Sequence, residues 1–285
     1  MPAMNPRVSA VVDEALMEWL RSKQSQEVPF MIDLFAIWKN RYHDAMKVPQ
    51  WLDKVTTPDG GELLLVEDGG VFTIRVNGRE LMSSRSFTSE KTIATLGCAE
   101  IQNSRRPRVL VGGLGLGFTL RATLDALQQD AEVVVAEVFP AVVQWNRTYL
   151  AKFADAPADD PRVTVFLGDV AKMIRLAPRN PFDLIILDVD NGPESFTIDR
   201  NEKLYGQPGI RRLRSALVDN GTLAVWSAHS DPPFEQRLEK AGFSVQTEKV
   251  HACDEKGPRH TIFLARIGTT CTLPSTSGGS SPMCT

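Results

Sequence analysis

Residues 109–119 read VLVGGLGLGFT, in which closely spaced glycines follow the apolar run VLV. Gly113, Gly115 and Gly117 allow the backbone to turn sharply and to approach a ligand where a Cβ atom would collide. A helix that begins near Gly117 would direct unpaired N–H groups at polar parts of that ligand. The spacing is GxGxG, and Phe118 stands where a dinucleotide fingerprint needs its third glycine. The loop therefore favours S-adenosylmethionine over a dinucleotide, the alternative being a loop that serves only close packing.

Acids follow the next two apolar segments of the chain. Glu137 lies about twenty positions beyond Gly117, where a carboxylate accepts hydrogen bonds from both ribose hydroxyls of an adenosine. Asp169 is placed to accept from the adenine amino group, with Val170 nearby. The alternatives are a solvated carboxylate for Glu137 and a helix N-cap for Asp169. Because ligands bind outside the carboxyl ends of strands in open α/β sheets, these elements predict one nucleoside pocket.

A second pair of acids, Asp188 and Asp190, emerges from the apolar run LIIL at 184–187. Burial makes isolated charges costly, so we expect a ligand or a cation to accompany them. An amine with a pKa of roughly 10 must lose a proton before it attacks an electrophile. We predict that Asp188 or Asp190 positions such an amine and takes up its proton. Asp190 and Asn191 are assigned to the acceptor, and Asp188 also to the donor.

Strand and helix patterns alternate from residue 105 to 267. The apolar runs are nearly continuous, as in strands that are covered on both faces. The last two strands are joined by CDEKGPR, which is short enough for an antiparallel hairpin. The predicted fold is therefore α/β, a Rossmann-like and mostly parallel seven-stranded sheet that resembles the class I methyltransferase architecture. Its predicted strands are 108–111, 132–138, 162–167, 182–188, 222–227, 243–250 and 260–266.

The region before this sheet divides into two predicted parts. Residues 1–58 form a helical segment, because their apolar residues recur mostly at helical intervals. Residues 59–104 form a small β meander and a connecting helix, since the turn signals Asp-Gly-Gly at 68–70 and Asn-Gly at 77–78 separate short β-like runs. The Rossmann-like domain then spans 105–267. The tail, 268–285, is rich in Ser, Thr, Gly and Pro and is predicted to be disordered.

Composition narrows the partners. A formal net charge of -3 gives no surplus of basic residues for a nucleic acid backbone. No apolar stretch approaches the roughly 20 residues that cross a bilayer, and the first ten residues lack the apolar core of a secretory signal, so we expect a cytoplasmic protein with no membrane partner. Four cysteines and four histidines are scattered, so no metal site is expected.

Together, the meander, the glycine strand, the acids and the Gly-Pro-Glu-Ser run at 192–195 resemble the spermidine synthase family of polyamine aminopropyltransferases over about residues 60–266. The resemblance implies a small N-terminal β domain, a Rossmann-like domain, decarboxylated S-adenosylmethionine as donor and an aspartate that receives the amine. That aspartate aligns with Asp188 or Asp190. A homodimer is implied by analogy alone.

Three departures from the family pattern suggest a changed reaction or substrate. The family acid inside the glycine loop is absent from residues 114–116, which read LGL. The family Tyr-Gln pair falls near Ser89 and Glu90, and the strand-four loop is shorter. Without the loop acid, and with Arg85 in the segment that covers the cofactor in the family, the carboxylate of intact S-adenosylmethionine is favoured. Glu90 is the neighbouring acid that would reverse this preference.

Two aromatic residues complete the predicted acceptor site. Trp226 follows the fifth strand and offers an aromatic wall to a cationic substrate, or else packs in the core. Tyr205 follows the acidic loop and is predicted to close over the acceptor. We favour methyl transfer from S-adenosylmethionine to a small, amine-type acceptor. Aminopropyl transfer, a cyclase or lyase reaction of the donor, and an inactive nucleoside-binding protein are the alternatives.

Overall fold

The computed structural model describes residues 49–57, 60–189, 204–253 and 256–268. These residues divide into two compact units at Phe87 and Thr88. The sequence analysis placed this boundary after residue 104, whereas the structure groups the intervening helix with the second unit. The first 48 residues and those from 269 onwards lie outside the described residues, and so do the predictions made for them. No described helix is long and apolar enough to cross a membrane.

The first unit contains a four-stranded antiparallel meander in the order β1-β2-β3-β4. Two tight turns join its last three strands. Positive φ angles at Gly69 and Gly70, and at Asn77 and Gly78, fit the hairpin turns that the sequence predicts. The strands are β1 Gln50–Thr56, β2 Glu62–Asp68, β3 Val71–Val76 and β4 Arg79–Ser83.

Strand β1 corrects one prediction, because residues 50–56 were included in the N-terminal helical segment. It pairs antiparallel with β2, with Trp51 opposite Val66 and Val55 opposite Leu63. All of its residues are exposed or only partly buried, and Asp53 and Lys54 interrupt its apolar pattern. The alternation that marks a half-buried strand is therefore weak here.

The second unit contains the predicted seven-stranded sheet, in the order β10-β11-β9-β8-β5-β6-β7. Strands β5 to β9 are mutually parallel, whereas β11 pairs antiparallel with β9 and with β10. The α/β fold class is confirmed. The strands are β5 Arg108–Gly112, β6 Glu132–Glu137, β7 Val163–Leu167, β8 Phe182–Leu187, β9 Leu217–Ser227, β10 Phe243–Cys253 and β11 Lys256–Ile267.

Helices connect these strands and cover the sheet. The first of them packs tightly, since a Cβ atom on its Gly97 would lie 3.1 Å from the Leu184 side chain of β8. This packing explains why the helix belongs with the second unit. The described helices are α1 Thr88–Ala99, α2 Phe118–Ala126, α3 Pro140–Arg147, α4 Ala151–Ala154, α5 Val170–Leu176, α6 Gln207–Ser215 and α7 Pro232–Lys240.

The strand order reverses at β5, which lies between β6 and β8. Connections from such a point leave in opposite directions, and a crevice opens at the carboxyl ends of the strands. The centre of the sheet is fully apolar, as Val109, Leu110, Val111 and residues 184–187 are all 0% exposed. The packed centre of the sheet therefore fixes the positions of the polar side chains at the ends of β5, β6 and β8.

Candidate functional site

The glycine loop joins β5 to α2 in a backbone conformation that other residues rarely adopt. The φ angle is +86° at Gly113, +50° at Gly115 and +89° at Gly117. A Cβ atom on Gly113 would lie 2.3 Å from the carbonyl oxygen of Asp188, so a side chain there would collide with the backbone. The Gly113 N–H donates to the carbonyl of Ala136 at 2.9 Å. The loop thus draws together the ends of β5, β6 and β8.

Asn146 of α3 supports the loop from behind. It is fully buried, and its Nδ2 donates to the carbonyls of Gly115 at 2.8 Å and Val142 at 3.0 Å. Its Oδ1 would lie 2.6 Å from a Cβ atom on Gly117. The sequence analysis did not include Asn146 among the site residues. The signal available in the sequence was a polar residue one helical turn after the apolar Val142. Asn146 shares the buried face of α3 with Val142.

Glu137 lies at the end of β6, as predicted, and is 7% exposed. Its Oε2 accepts from the Leu114 N–H at 3.0 Å, and its Oε1 accepts from the Phe139 N–H at 2.9 Å. Burial raises the pKa of Glu137, although these backbone N–H groups oppose the shift. A carboxylate has about four acceptor positions, and the Leu114 and Phe139 N–H groups occupy two of them. These bonds fix the side chain, and its contact with ribose hydroxyls stays a prediction.

Asp169 caps helix α5. Its Oδ1 accepts from the Ala171 N–H at 2.7 Å, which is the N-cap alternative given above. The residue is exposed and follows Gly168, whose N–H donates to the carbonyl of Glu137 at 2.8 Å. Val170 is buried against the start of the glycine loop, as its Cγ2 would lie 3.0 Å from a Cβ atom on Gly112. The adenine contact of Asp169 stays a prediction.

Asp188 lies directly after β8, beside the glycine loop. Its Oδ2 accepts from the Thr119 hydroxyl at 2.5 Å, and its N–H donates to the carbonyl of Gly112 at 3.0 Å. Burial raises the pKa of Asp188, and the Thr119 hydrogen bond opposes that shift. The charge of Asp188 also acts on Glu90 of α1. Burial, and after it this charge, raise the pKa of Glu90 to about 7. Two carboxyl groups from different elements therefore share one region.

A serine and a histidine extend this region. Ser89 is fully buried, and its hydroxyl lies 2.7 Å from Glu90 Oε2 and 2.9 Å from Nδ1 of His260 on β11. The His260 ring meets the Trp226 ring edge to face, with centroids 4.6 Å apart. The Nε1 of Trp226 is buried and has no hydrogen-bond partner in the described part of the chain. Sequence reasoning missed His260 and Thr119, because neither belongs to a motif and pairing of β11 with β9 decides where His260 lies.

Residues 86–240 match the spermine/spermidine synthase domain, which covers more than half of the chain. The chain belongs to the spermine/spermidine synthase family. It is 34% identical to polyamine aminopropyltransferase 1 of Hyperthermus butylicus over 51% of this chain and 49% of that protein. It is 30% identical to putrescine N-methyltransferase 2 of Nicotiana attenuata over 49% of this chain and 35% of that protein. The chain thus spans about half or less of the length of these relatives.

Solved structures show the same fold. A spermidine synthase in complex with the transition-state analogue AdoDATO superposes with a TM-score of 0.60 and 19% identity, over 77% of this chain and 73% of that one. The spermidine synthase from Thermotoga maritima gives a TM-score of 0.61, with the same identity and coverage. These two likenesses show the fold, and the match of residues 86–240 confirms the family resemblance inferred from the glycine loop and the acids.

The structure shows where the residues that depart from the family pattern lie. Leu114 and Leu116 occupy the stretch where family members carry an acid, and both are buried, at 4% and 3% exposure. Glu90 falls near the family Gln position and lies beside Asp188.

The predicted acceptor residues are only partly placed. Asp190 and Asn191 lie outside the described residues. Tyr205 is 2% exposed and packs edge-on against Phe234, with ring centroids 5.6 Å apart. The structure gives Tyr205 a place in the hydrophobic core, and its contact with substrate stays a prediction. Trp226 contacts His260, so of the four predicted acceptor residues it is the one that the structure places beside Ser89 and His260.

Proposed function

We propose that this chain is an S-adenosylmethionine-dependent transferase that methylates a small amine. The proposal rests chiefly on one observation, the glycine loop that closes around Glu137 with buried leucines at 114 and 116 in place of an acid. A loop without negative charge suits the carboxylate of intact S-adenosylmethionine, whereas an aminopropyl ammonium needs an acid. The putrescine N-methyltransferases among the relatives are consistent with this donor.

The residues present fit an adenosine group. Glu137 retains acceptor capacity for ribose hydroxyls, and the buried Val170 borders the loop. When bound, a sulfonium donor supplies an electrophilic carbon, so no covalent nucleophile is needed. The chain has to align the acceptor, and orientation of that kind contributes about 7 kcal/mol or more in favourable cases. Asp188 is placed to orient an amine and to assist its deprotonation.

Donor binding tests this proposal. Glu137→Gln retains the shape of the side chain but loses its charge, so we expect it to weaken S-adenosylmethionine and methylthioadenosine roughly tenfold, about 1.4 kcal/mol. Titration calorimetry measures both ligands, and thermal unfolding reports the fold of each variant. Glu132→Gln is the matched control, because Glu132 is exposed at the opposite end of the same strand. Equal affinities in wild type and Glu137→Gln would remove Glu137 from the donor site.

The same calorimetry compares donors. We expect intact S-adenosylmethionine to bind at least about tenfold more tightly than its decarboxylated form. One observation favours the second candidate, aminopropyl transfer. Glu90 and Asp188 place two carboxyl groups in one region, which suits an ammonium group of the decarboxylated donor as well as one of the acceptor. A preference for the decarboxylated donor that Glu90→Gln abolishes would support this candidate instead.

A further inference from the structure

Glu90, Ser89 and His260 are linked by two consecutive hydrogen bonds, which we call the Ser89 line. Ser89 is the second residue of α1 and is fully buried, with its hydroxyl 2.7 Å from Glu90 Oε2 and 2.9 Å from His260 Nδ1. Glu90 lies beside Asp188 at the proposed acceptor site, whereas His260 is only partly buried on β11. The line therefore runs from the acceptor site towards solvent.

We propose that Glu90 takes up the proton of the acceptor amine, and that Ser89 and His260 carry this proton to solvent. The proposal rests on the amine acceptor of the proposed function. In the proposed function Asp188 orients the amine and assists its deprotonation through its charge, and the present proposal assigns the group that receives the proton and its route to solvent. A path through the protein gives the proton an exit wherever bound substrates exclude bulk water from the amine.

The hydrogen bonds allow a balanced transfer. The single hydrogen of the Ser89 hydroxyl points to the ionised Glu90, so Ser89 accepts from His260 Nδ1–H. When Glu90 gains the amine proton, its O–H donates to Ser89. His260 changes to its Nε2–H tautomer by exchanging protons with water, with no net change in its number of protons, and Ser89 then donates to Nδ1. Transfer along both bonds regenerates the Glu90 carboxylate and forms an imidazolium. Loss of the Nε2 proton to water restores the starting arrangement, and one proton has moved from amine to solvent.

The surroundings raise the proton affinity of Glu90 and lower that of His260. Burial and the Asp188 charge raise the pKa of Glu90 to about 7, and the Ser89 hydrogen bond partly opposes this. Burial and then the charge of His229 lower the pKa of His260 from its ordinary value of 6.5. Glu90 therefore holds the proton more tightly than His260, so passage of the proton to His260 is uphill, and the low proton affinity of His260 favours its onward release to water.

A purely structural role is the alternative, in which the line fastens the first turn of α1 to β11. His260→Asn separates the two roles, because the amide of asparagine can still donate to Ser89 but cannot accept and release a proton. His251→Asn is the matched control, since His251 lies on the neighbouring strand β10 and contacts Gly257 and Arg259. Ser89→Ala removes the hydroxyl without adding volume to a fully buried position.

The test measures turnover of S-adenosylmethionine with an amine, donor affinity and thermal unfolding for the same set of variants. We expect His260→Asn and Ser89→Ala to lower kcat about tenfold or more, while donor affinity stays within twofold of wild type. We also expect added imidazole to restore part of the turnover of His260→Asn, which a structural defect would not allow. Wild-type turnover in His260→Asn would overturn the proposal, as would a loss that imidazole leaves unchanged.

Nitrogen NMR of the His260 ring keeps the inference separate from the proposed function. Even if no amine is methylated, the line predicts the Nδ1–H tautomer of His260 near pH 8 and a shift towards Nε2–H in Ser89→Ala. Absence of turnover together with this tautomer change would contradict the proposed amine methylation but still support the proton path. An Nε2–H tautomer in the wild type that Ser89→Ala does not alter would remove the path itself.

Discussion

Asp188→Asn is expected to lower turnover by roughly 100-fold or more while the fold is retained. The amide keeps the size of the carboxyl group and can still contact the Thr119 hydroxyl, which lies 2.5 Å from Asp188 Oδ2. It carries no negative charge, however, so it neither holds an ammonium nor assists its deprotonation. Steady-state kinetics with saturating donor and a series of amines measure the loss. Because Asp188 adjoins the glycine loop, a weaker donor affinity can accompany it.

Asp219→Asn serves as the control, since Asp219 is an exposed acid near the start of β9. It should retain wild-type turnover. Asp190→Asn tests the other aspartate of the loop and should keep donor binding. A large loss in Asp190→Asn with little change in Asp188→Asn would transfer the role to Asp190. Unchanged turnover in both variants would remove acid–base assistance from this loop.

Below pH 7, the kcat/KM for the amine should fall steeply. Glu90 must be ionised to accept a proton, and its pKa of about 7 means that ionisation is lost as the pH falls through that value. With one such group, about 1% of Glu90 is ionised at pH 5, which predicts a loss of roughly 100-fold relative to the plateau. Titration of the amine itself is common to all variants, so ratios between variants isolate the contribution of Glu90.

Variants of Ser89 and Asp188 test the direction in which the pKa of Glu90 shifts. Ser89→Ala removes a hydrogen bond that lowers the pKa of Glu90, so the acid limb of its pH profile should move to higher pH. Asp188→Asn removes a charge that raises this pKa, so carboxyl NMR should find Glu90 titrating at lower pH. Glu90→Gln should lack the limb altogether. A limb of the same midpoint in Glu90→Gln and wild type would show that another group controls it.

Much of the fold follows from local sequence patterns. Nearly continuous apolar runs predicted the five parallel strands, because strands covered on both faces leave little room for polar residues. The short connection between the last two strands predicted the antiparallel hairpin of β10 and β11. The start of β9 was less accurate, at Leu217 rather than Thr222, since the pairing with β8 has a register shift and Asn220 has a φ of +63°. Strand β1 was missed because its exposed residues carry little alternation. Tertiary pairing, and not propensity, determines these segments.

The part of the site that lies at the carboxyl ends of the parallel strands could be predicted from the sequence. Glu137 ends β6, whereas Gly113 and Asp188 directly follow β5 and β8, and parallel pairing brings such strand ends together. His260 comes from an antiparallel strand, 171 positions from the Ser89 that it contacts, and no local spacing records that approach. Glu90 was identified only through the family resemblance. Its closeness to Asp188 depends on how α1 packs on the sheet, which periodicity does not specify.

The by-product of the reaction tests the central claim most directly. The protein is incubated with S-adenosylmethionine or its decarboxylated form and a panel of small amines that includes putrescine, and the products are separated by mass spectrometry. Asp188→Asn is analysed in parallel to assign any product to this site. We predict S-adenosylhomocysteine and an N-methylated amine from intact S-adenosylmethionine. Methylthioadenosine together with an aminopropylated amine would contradict methyl transfer and identify an aminopropyltransferase.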